Sequence, residues 1–151
     1  MTLPLNDALA RCERHADVLR AALADLPQAF DAEVVTSANA MLVRTTDQFV
    51  LRFIKLQDTL GEHVLRPFAA EVLGEPVVDL PLIDVLNRLD RFGYLTPAAW
   101  LRWRALRNSP THEYPEQPQI RAAVLSEALH AAARMLERLQ CLRERTSRAP
   151  D

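Results

Sequence analysis

The sequence is short of glycine, of cysteine and of net charge. Its 151 residues include three glycines and two cysteines, and its formal net charge at pH 7 is −2. Because glycine is scarce while Ala, Leu, Arg and Glu are abundant, the composition favours helices. Cys12 and Cys141 lie far apart, and no Cys/His spacing resembles a zinc site. We therefore expect two reduced core thiols, no bound metal and no cofactor.

Long apolar runs are also lacking. No stretch is apolar over enough residues to span a bilayer, and the opening MTLPLNDALARCERH lacks the basic-then-apolar order of a signal peptide. We therefore expect a cytoplasmic protein with no membrane partner. The lack of excess positive charge excludes a global field that attracts nucleic acid, so any RNA-binding surface must be local.

The sequence is rich in helical periodicity. Apolar residues recur at three- and four-residue steps, which predicts a first helix from Asn6, as its N-cap, to Leu26. A second, long helix is predicted from Glu33 to about Leu65, and Pro67 should kink or end it before a short segment over residues 68–73. Their predicted core positions are Leu5, Leu9, Cys12, Ala16, Leu19, Leu23 and Leu26, then Leu42, Phe49, Phe53, Leu56, Leu60 and Val64.

Three further helices are predicted in the second half of the chain. A short one ends before Gly93, a fourth runs from a Thr96 cap to Asn108, and a fifth runs from Pro118 to about Arg145. Its predicted buried stripe is Ile120, Val124, Ala128, Ala131, Met135, Leu139 and Leu142. No alternating strand pattern is present, so we expect an all-α, up-and-down bundle of about five helices. Length predicts one domain over residues 1–151, with a frayed tail over 146–151.

The stretch RNSPTHEYP, residues 107–115, interrupts this pattern. Its prolines and Asn108 suit a turn between helices, but a turn does not explain an arginine, a histidine and a tyrosine at Arg107, His112 and Tyr114. On an unbroken helix Arg107 and His112 would lie about 140° apart around the axis. A break at Pro110 can bring both side chains toward one cleft.

The stretch resembles the Arg-x4-His-x-Tyr signature of the HEPN superfamily, and in particular its HepT-type toxins. Arg107 matches the motif arginine, Asn108 the polar residue that commonly follows it, His112 the histidine and Tyr114 the tyrosine. The order of a short helix, the motif and a final long helix is also similar to the family. This likeness covers about residues 5 to 142 and implies a HEPN-like fold.

A weaker likeness lies in DQFVLRFIKL on the predicted second helix. Related toxins often carry an acidic residue and then Arg-Phe there, as Asp47 and Arg52-Phe53 do here. Asp47 and Arg52 are candidates for orienting the motif. An ordinary surface or interface pair is the alternative.

The resemblance implies a metal-independent endoribonuclease. Such chemistry needs a base for the ribose 2′-OH, an acid for the leaving 5′-oxygen and positive charge against the phosphorane. His112 suits either proton transfer, and Arg107 suits a bidentate grip on phosphate oxygens. One arginine and one histidine are too few for both transfers, so a two-fold homodimer, typical of the family, would supply the second set.

The family also implies a partner. In HepT-type systems a cognate nucleotidyltransferase antitoxin neutralises the toxin by adding adenylate to the motif tyrosine, which is Tyr114 here. The added phosphate charge would block RNA beside Arg107 and His112. The alternative is a tyrosine that packs the loop with its hydroxyl bonded to backbone.

Other candidate residues have two interpretations each. Arg102 and Arg104, with Trp100 and Trp103, form either a surface that binds and stacks single-stranded RNA or a set of core or interface anchors with solvated arginines. The other three histidines are expected to lie on helix surfaces without partners. They are His15, His63 and His130.

Three functional hypotheses follow from the sequence. The first is a HEPN-type RNase toxin, homodimeric and controlled by a nucleotidyltransferase. The second is a non-catalytic HEPN helical module that binds a nucleotidyltransferase partner or nucleotide. The third is a structural helical dimer, which the complete Arg/His/Tyr set disfavours.

Overall fold

The structure is a computed structural model that describes residues 3–108 and 117–148. All regular structure within these ranges is helical, which confirms the predicted all-α bundle. Five helices carry the fold, and two short ones, α2 and α4, join them. In order they are α1 (Leu5–Asp25), α2 (Ala32–Val35), α3 (Ala40–Thr59), α4 (Leu65–Pro67), α5 (Leu82–Arg91), α6 (Pro97–Asn108) and α7 (Pro118–Ser147).

The N-cap of helix α1 lies two residues earlier than predicted. Pro4 occupies the cap position, its carbonyl accepts from the backbone N–H of Ala8 at 2.9 Å, and no side chain caps the helix. The prediction of Asn6 as N-cap is therefore wrong. Proline already has a fixed φ, and starting at Leu5 buries that leucine in the core.

The predicted second helix is divided at its start. Asp31 caps α2 by accepting from Val34 N at 2.8 Å, and Asn39 caps α3 by accepting from Leu42 N at 3.0 Å. Each cap satisfies amide groups that a helix start leaves without a partner, so the chain stops after α2 and starts again at α3. The prediction of one continuous helix from Glu33 is wrong.

Helical structure continues through Pro67 rather than ending there. A π-helical turn over Leu60–Val64 precedes α4, and a second over Phe68–Val72 follows it. The wider π turns change the hydrogen-bond register on both sides of a residue that cannot donate an amide. Gly61 lies in the first turn, where an added Cβ would be 2.9 Å from Cζ2 of Trp100.

The helices enclose one apolar core. Helix α1 packs along α3, and α7 packs against α2, α1 and α6. The later helix ends were predicted well: Gly93 has φ +80, and the Thr96 hydroxyl accepts from Ala99 N at 3.1 Å. All the predicted core leucines, phenylalanines and small residues are buried or partly buried, except one residue at the start of α7.

Two details of α7 correct the sequence predictions. Ile120 is 44% exposed, because it lies in the first turn beyond the end of the packed stripe. The helix also continues to Ser147, where Thr146 and Ser147 hydroxyls donate to carbonyls of the preceding turn. The predicted tail is therefore helical, not frayed, at 146 and 147.

Candidate functional site

The motif arginine is held in a fixed orientation by a carboxylate from α3. Arg107 lies in the last turn of α6, and Asp58 lies near the end of α3. Nε of Arg107 donates to Oδ1 of Asp58 at 2.7 Å, and Nη2 donates to Oδ2 at 2.9 Å. This two-point contact fixes the plane of the guanidinium as well as its position.

Two neighbours complete the arrangement around Asp58. Nη1 of Arg107 donates to Oδ1 of Asn108 at 3.2 Å, and Nη1 of Arg104 lies 3.5 Å from both Asp58 Oδ1 and Gln57 Oε1. Arg104 and Arg107 are three residues apart on α6, so their side chains share a helix face. One carboxylate thus faces two arginines.

The electrostatics keep this pair charged. The hydrogen bond from Arg107 lowers the pKa of Asp58 below its ordinary value, and the charges of Arg107, Arg104 and Lys55 act in the same direction. The Asp58 carboxylate in turn raises the pKa of Arg107. The carboxylate is therefore ionised at neutral pH, and the arginine keeps its orientation there.

Asp58 also lines a polar cleft of about 600 Å³ between α1 and α3. Helix α1 supplies Arg11, Arg14 and His15, and α3 with its following turn supplies the other wall. That wall consists of Arg52, Lys55, Asp58, Thr59, Glu62 and His63. Four arginine or lysine residues thus face two carboxylates, one of which is already paired with Arg107.

His15 has a partner, contrary to the prediction. Its Nδ1 lies 2.9 Å from Nη1 of Arg52. Burial, and then the charges of Arg52, Lys55, Arg11 and Arg14, lower its pKa. The neutral imidazole therefore accepts from Arg52 through Nδ1 and carries its proton on Nε2.

Of the other two histidines, His130 is exposed as predicted, whereas His63 is half-buried and has a partner, which was not predicted. His63 lies 3.6 Å from Glu62 in the same cleft, and His130 is exposed on α7.

The carboxylate that orients the motif arginine is Asp58 and not Asp47. Asp47 is exposed on α3 and lines a different, small cavity beside α2 and α7. Arg52 makes its side-chain contact with His15, and no ion pair joins it to Asp47 among the described residues. Asp47 lies eleven positions before Asp58, three turns of α3 away along the helix.

The tryptophans belong to the core and not to a stacking surface. Trp100 is 2% and Trp103 is 4% exposed, and their rings meet edge to face at 6.3 Å. Bases therefore cannot stack on them. Arg102 is exposed and forms a forked ion pair with Glu127 of α7. The two predicted RNA-binding arginines therefore lie in different surroundings: Arg102 is paired with Glu127, and Arg104 lies beside Arg107 at Asp58.

The predicted catalytic His112 and the predicted modification site Tyr114 lie outside the described residues, as do Pro110 and Pro115. The last described residue before them is Asn108, and the next is Gln117.

Sequence reasoning missed Asp58, His15, Lys55, Arg11 and Arg14. The three α1 residues follow a three- and four-residue spacing, which places them on one helix face. That spacing was available from the sequence. The pairing of Asp58 with Arg107, 49 positions apart, was not.

Other chemistry in the described part of the chain is limited. No cluster of three His, Cys, Asp or Glu side chains among the described residues could hold a metal ion. Cys12 is buried, which raises the pKa of its thiol to about 12, and Cys141 is half-buried; both are free. Within the described ranges, no helix combines the length and apolarity needed to cross a membrane.

No protein-family model matches this chain, and no curated protein and no solved structure is significantly similar to it. The assignment of a function therefore depends on the motif, the Arg107–Asp58 pair and the cleft.

Proposed function

We propose that the protein is a metal-independent endoribonuclease toxin of the HEPN type. In this proposal it acts as a homodimer in the cytoplasm and is neutralised when a cognate nucleotidyltransferase adenylates it. The observation that carries the proposal is the forked contact between Arg107 and Asp58 beside a cleft rich in cations. A phosphate-binding arginine needs a fixed guanidinium plane, and Asp58 supplies that constraint.

The proposed reaction needs no metal. The ribose 2′-oxygen attacks the adjacent phosphorus while His112 accepts its proton. The P–O5′ bond then breaks, and an acid protonates the leaving 5′-oxygen. The products are a 2′,3′-cyclic phosphate and a 5′-hydroxyl, so atoms and charge balance without an added reactant. Arg107 stabilises the extra negative charge on the phosphorane oxygens, and Asp58 positions Arg107.

A second chain would supply the second histidine and arginine. Large apolar side chains exposed on α3 and α6 support a dimer whose interface includes these helices. They are Met41, Val43 and Leu51 on α3, and Leu101 on α6. Sedimentation at micromolar concentration should show two chains. A monomer at this concentration would exclude the composite site.

RNA cleavage in the presence of a chelator tests the activity. The purified protein should cut single-stranded RNA in EDTA and leave cyclic phosphate ends. Arg107→Ala and His112→Ala should each lower the rate by a factor of roughly 10² to 10³, the usual cost of a lost charge-stabilising group. Arg134→Ala is the control, because Arg134 is exposed on α7 and, within the described ranges, forms an ion pair with its neighbour Glu137 alone.

Two outcomes would contradict the proposal. A requirement for a divalent metal would exclude this mechanism. A well-folded dimer that binds the transferase or nucleotide but never cuts RNA would instead support the non-catalytic helical module.

Regulation has a separate test. Tyr114→Phe removes only the hydroxyl, so cleavage should persist while neutralisation by the transferase and ATP fails. Mass spectrometry should find adenylate on the wild type and none on the variant. If Tyr114→Phe abolishes cleavage with the fold intact, the hydroxyl belongs to the catalytic machinery.

A further inference from the structure

We propose that the cleft between α1 and α3 binds the phosphate backbone of single-stranded RNA, with Arg11, Arg14, Arg52 and Lys55 as its phosphate ligands. The choice of RNA over other polyanions rests on the proposed function, since the cleft continues to the Asp58 carboxylate that holds Arg107. The presence of an anion site rests on the cleft itself.

The four cations of the cleft lack acidic partners among the described residues. Arg11, Arg14, Arg52 and Lys55 form no ion pair with any carboxylate in residues 3–108 or 117–148. Elsewhere in that part of the chain, five arginines form ion pairs with carboxylates that do not line the cleft. The pairs are Arg20 with Glu13 and Asp17, Arg88 with Glu75, Arg102 with Glu127, Arg134 with Glu137, and Arg143 with Glu13.

The two carboxylates of the cleft do not cancel this charge. Asp58 is engaged by Arg107, and Arg104 lies 3.5 Å away. Glu62 is exposed beside His63. The cleft therefore keeps a local positive potential in a chain whose net charge is −2, and such a potential concentrates anions.

The spacing of the cations favours a ligand with repeating negative charges. Arg11 and Arg14 are three residues apart on α1, as are Arg52 and Lys55 on α3. Residues at that spacing have Cβ atoms about 5–6 Å apart on one helix face. Two rows of cations along opposite walls fit a chain of repeating negative charges better than they fit a single small anion.

The contacts of Arg52 and His15 also favour anion binding in the cleft. Arg52 is half-buried, its Nη1 contacts His15 Nδ1, and its buried Nε has no hydrogen-bond partner among the described residues. Its guanidinium thus has donor capacity that no protein carboxylate uses. Burial, and then the charges of the four cations, lower the pKa of His15, so the cations lie close enough to disfavour a further positive charge in the cleft. A bound phosphate would offset this concentration of positive charge.

The test measures binding separately from cleavage. The probe is a fluorescein-labelled, 2′-O-methylated oligouridylate, which lacks the attacking hydroxyl and cannot be cut. Fluorescence anisotropy at increasing salt should give a slope of log affinity against log salt of about −3 for four phosphate contacts. Affinity should then fall by about 50-fold between 50 and 200 mM salt.

Variants that each remove one positive charge locate the binding site. Lys55→Gln and Arg14→Gln should each weaken binding by roughly fivefold and make the slope shallower by about 0.7 to 1. Arg134→Gln removes the same charge from α7 and should change affinity less than twofold. Both cleft variants should melt no lower than the wild type, because each removes repulsion in the free protein.

Each alternative result is decisive. Equal effects of Lys55→Gln and Arg134→Gln, or binding that salt does not weaken, would overturn the proposal. Equally tight binding of polyglutamate of matched charge would assign the cleft to an acidic protein. Probe binding without any RNA cleavage would remove the proposed function but leave the cleft assignment intact. If Lys55→Gln cleaves RNA with an unchanged KM, the cleft assignment is wrong and the proposed function stands.

Discussion

The arginines of two regions differ in their ion pairs. One region is the cleft between α1 and α3, and the other is the outer surface of α6 and α7. On the outer surface Arg102 and Arg134 each face a glutamate, so their charges are compensated. In the cleft Arg11, Arg14 and Lys55 form no ion pair with a carboxylate among the described residues. The difference shows that a chain with a slightly negative net charge can still hold a strongly positive site.

The two regions also differ in how an ion pair is used. Arg102 and Arg107 both lie on α6, and both make a forked contact with a carboxylate. The Arg102–Glu127 pair is solvent-exposed, and pairs of this kind contribute little to stability. The Arg107–Asp58 pair lies at the cleft, where the Asp58 carboxylate fixes the orientation of the Arg107 guanidinium. Similar geometry thus has different consequences in the two regions.

The largest expected effect comes from breaking the orienting pair. Asp58→Asn should lower kcat for RNA cleavage by roughly 10²-fold, the cost of a misplaced catalytic group, with little change in KM. Asp58→Glu should restore part of kcat. The matched change on the outer surface, Glu137→Gln, breaks the Arg134 pair and should leave kcat unchanged. Steady-state kinetics with Tm controls measure this, and a change confined to KM would contradict a positioning role.

An intermediate effect is expected where α6 rests on the turn after α3. Gly61→Ala places a Cβ about 2.9 Å from the buried Trp100 ring, so that ring or the turn must shift. We expect a loss of about 1–3 kcal/mol in the free energy of unfolding. Because the shift also moves α6, cleavage should fall as well.

The comparison for Gly61 is Gly93, which lies between α5 and α6. Its φ is +80 and an added Cβ meets nothing within 4 Å, so Gly93→Ala should cost about 1 kcal/mol through backbone strain alone. Urea unfolding of both variants measures the two costs. Equal losses, with cleavage unchanged in both, would show that close contact at Gly61 is not what sets the position of α6.

The smallest expected effect is a pH dependence from His15. Arg11 and Arg14 of α1 and Arg52 and Lys55 of α3 face it, and burial with their charges lowers its folded-state pKa. Its stabilising contribution is therefore present above the ordinary histidine pKa, about 6.5, and is lost as pH falls toward the folded pKa.

The measurement is the free energy of unfolding between pH 7.5 and pH 5. Wild type should lose stability on acidification more steeply than His15→Gln, which cannot be protonated. His130→Gln, on the exposed surface of α7, is the control and should follow the wild-type curve. Identical curves for wild type and His15→Gln would contradict a lowered pKa of His15 in the folded protein.

Local sequence signals predicted most of the fold. The Thr96-Pro97 start of α6, the Gly93 end of α5 and the stripe on α1 depend on neighbours within a few positions, and the structure contains all three. The errors arose where two local signals competed. Asp31 and Asn39 each cap a helix start and so divide α2 from α3, although periodicity alone favoured one continuous helix.

The candidate site was only partly predictable. The motif singled out Arg107, and the structure places a specific carboxylate on it. Asp47 was one candidate for this carboxylate, because the likeness to related toxins lay there, and an ordinary surface or interface pair was the alternative. Asp58 was not predicted, because which α3 residue faces α6 depends on how the two helices cross.

The sequence by itself determined that this protein is helical, where its later helices begin and end, and that Arg107 sits at a helix end. These features depend on propensity, caps and periodicity, which act over a few residues. Only the tertiary structure decided that Asp58 holds Arg107, that the tryptophans are buried, and that α1 and α3 bring their cations to one cleft. Such contacts join residues that are distant in the chain, and their geometry follows from the packing of whole helices.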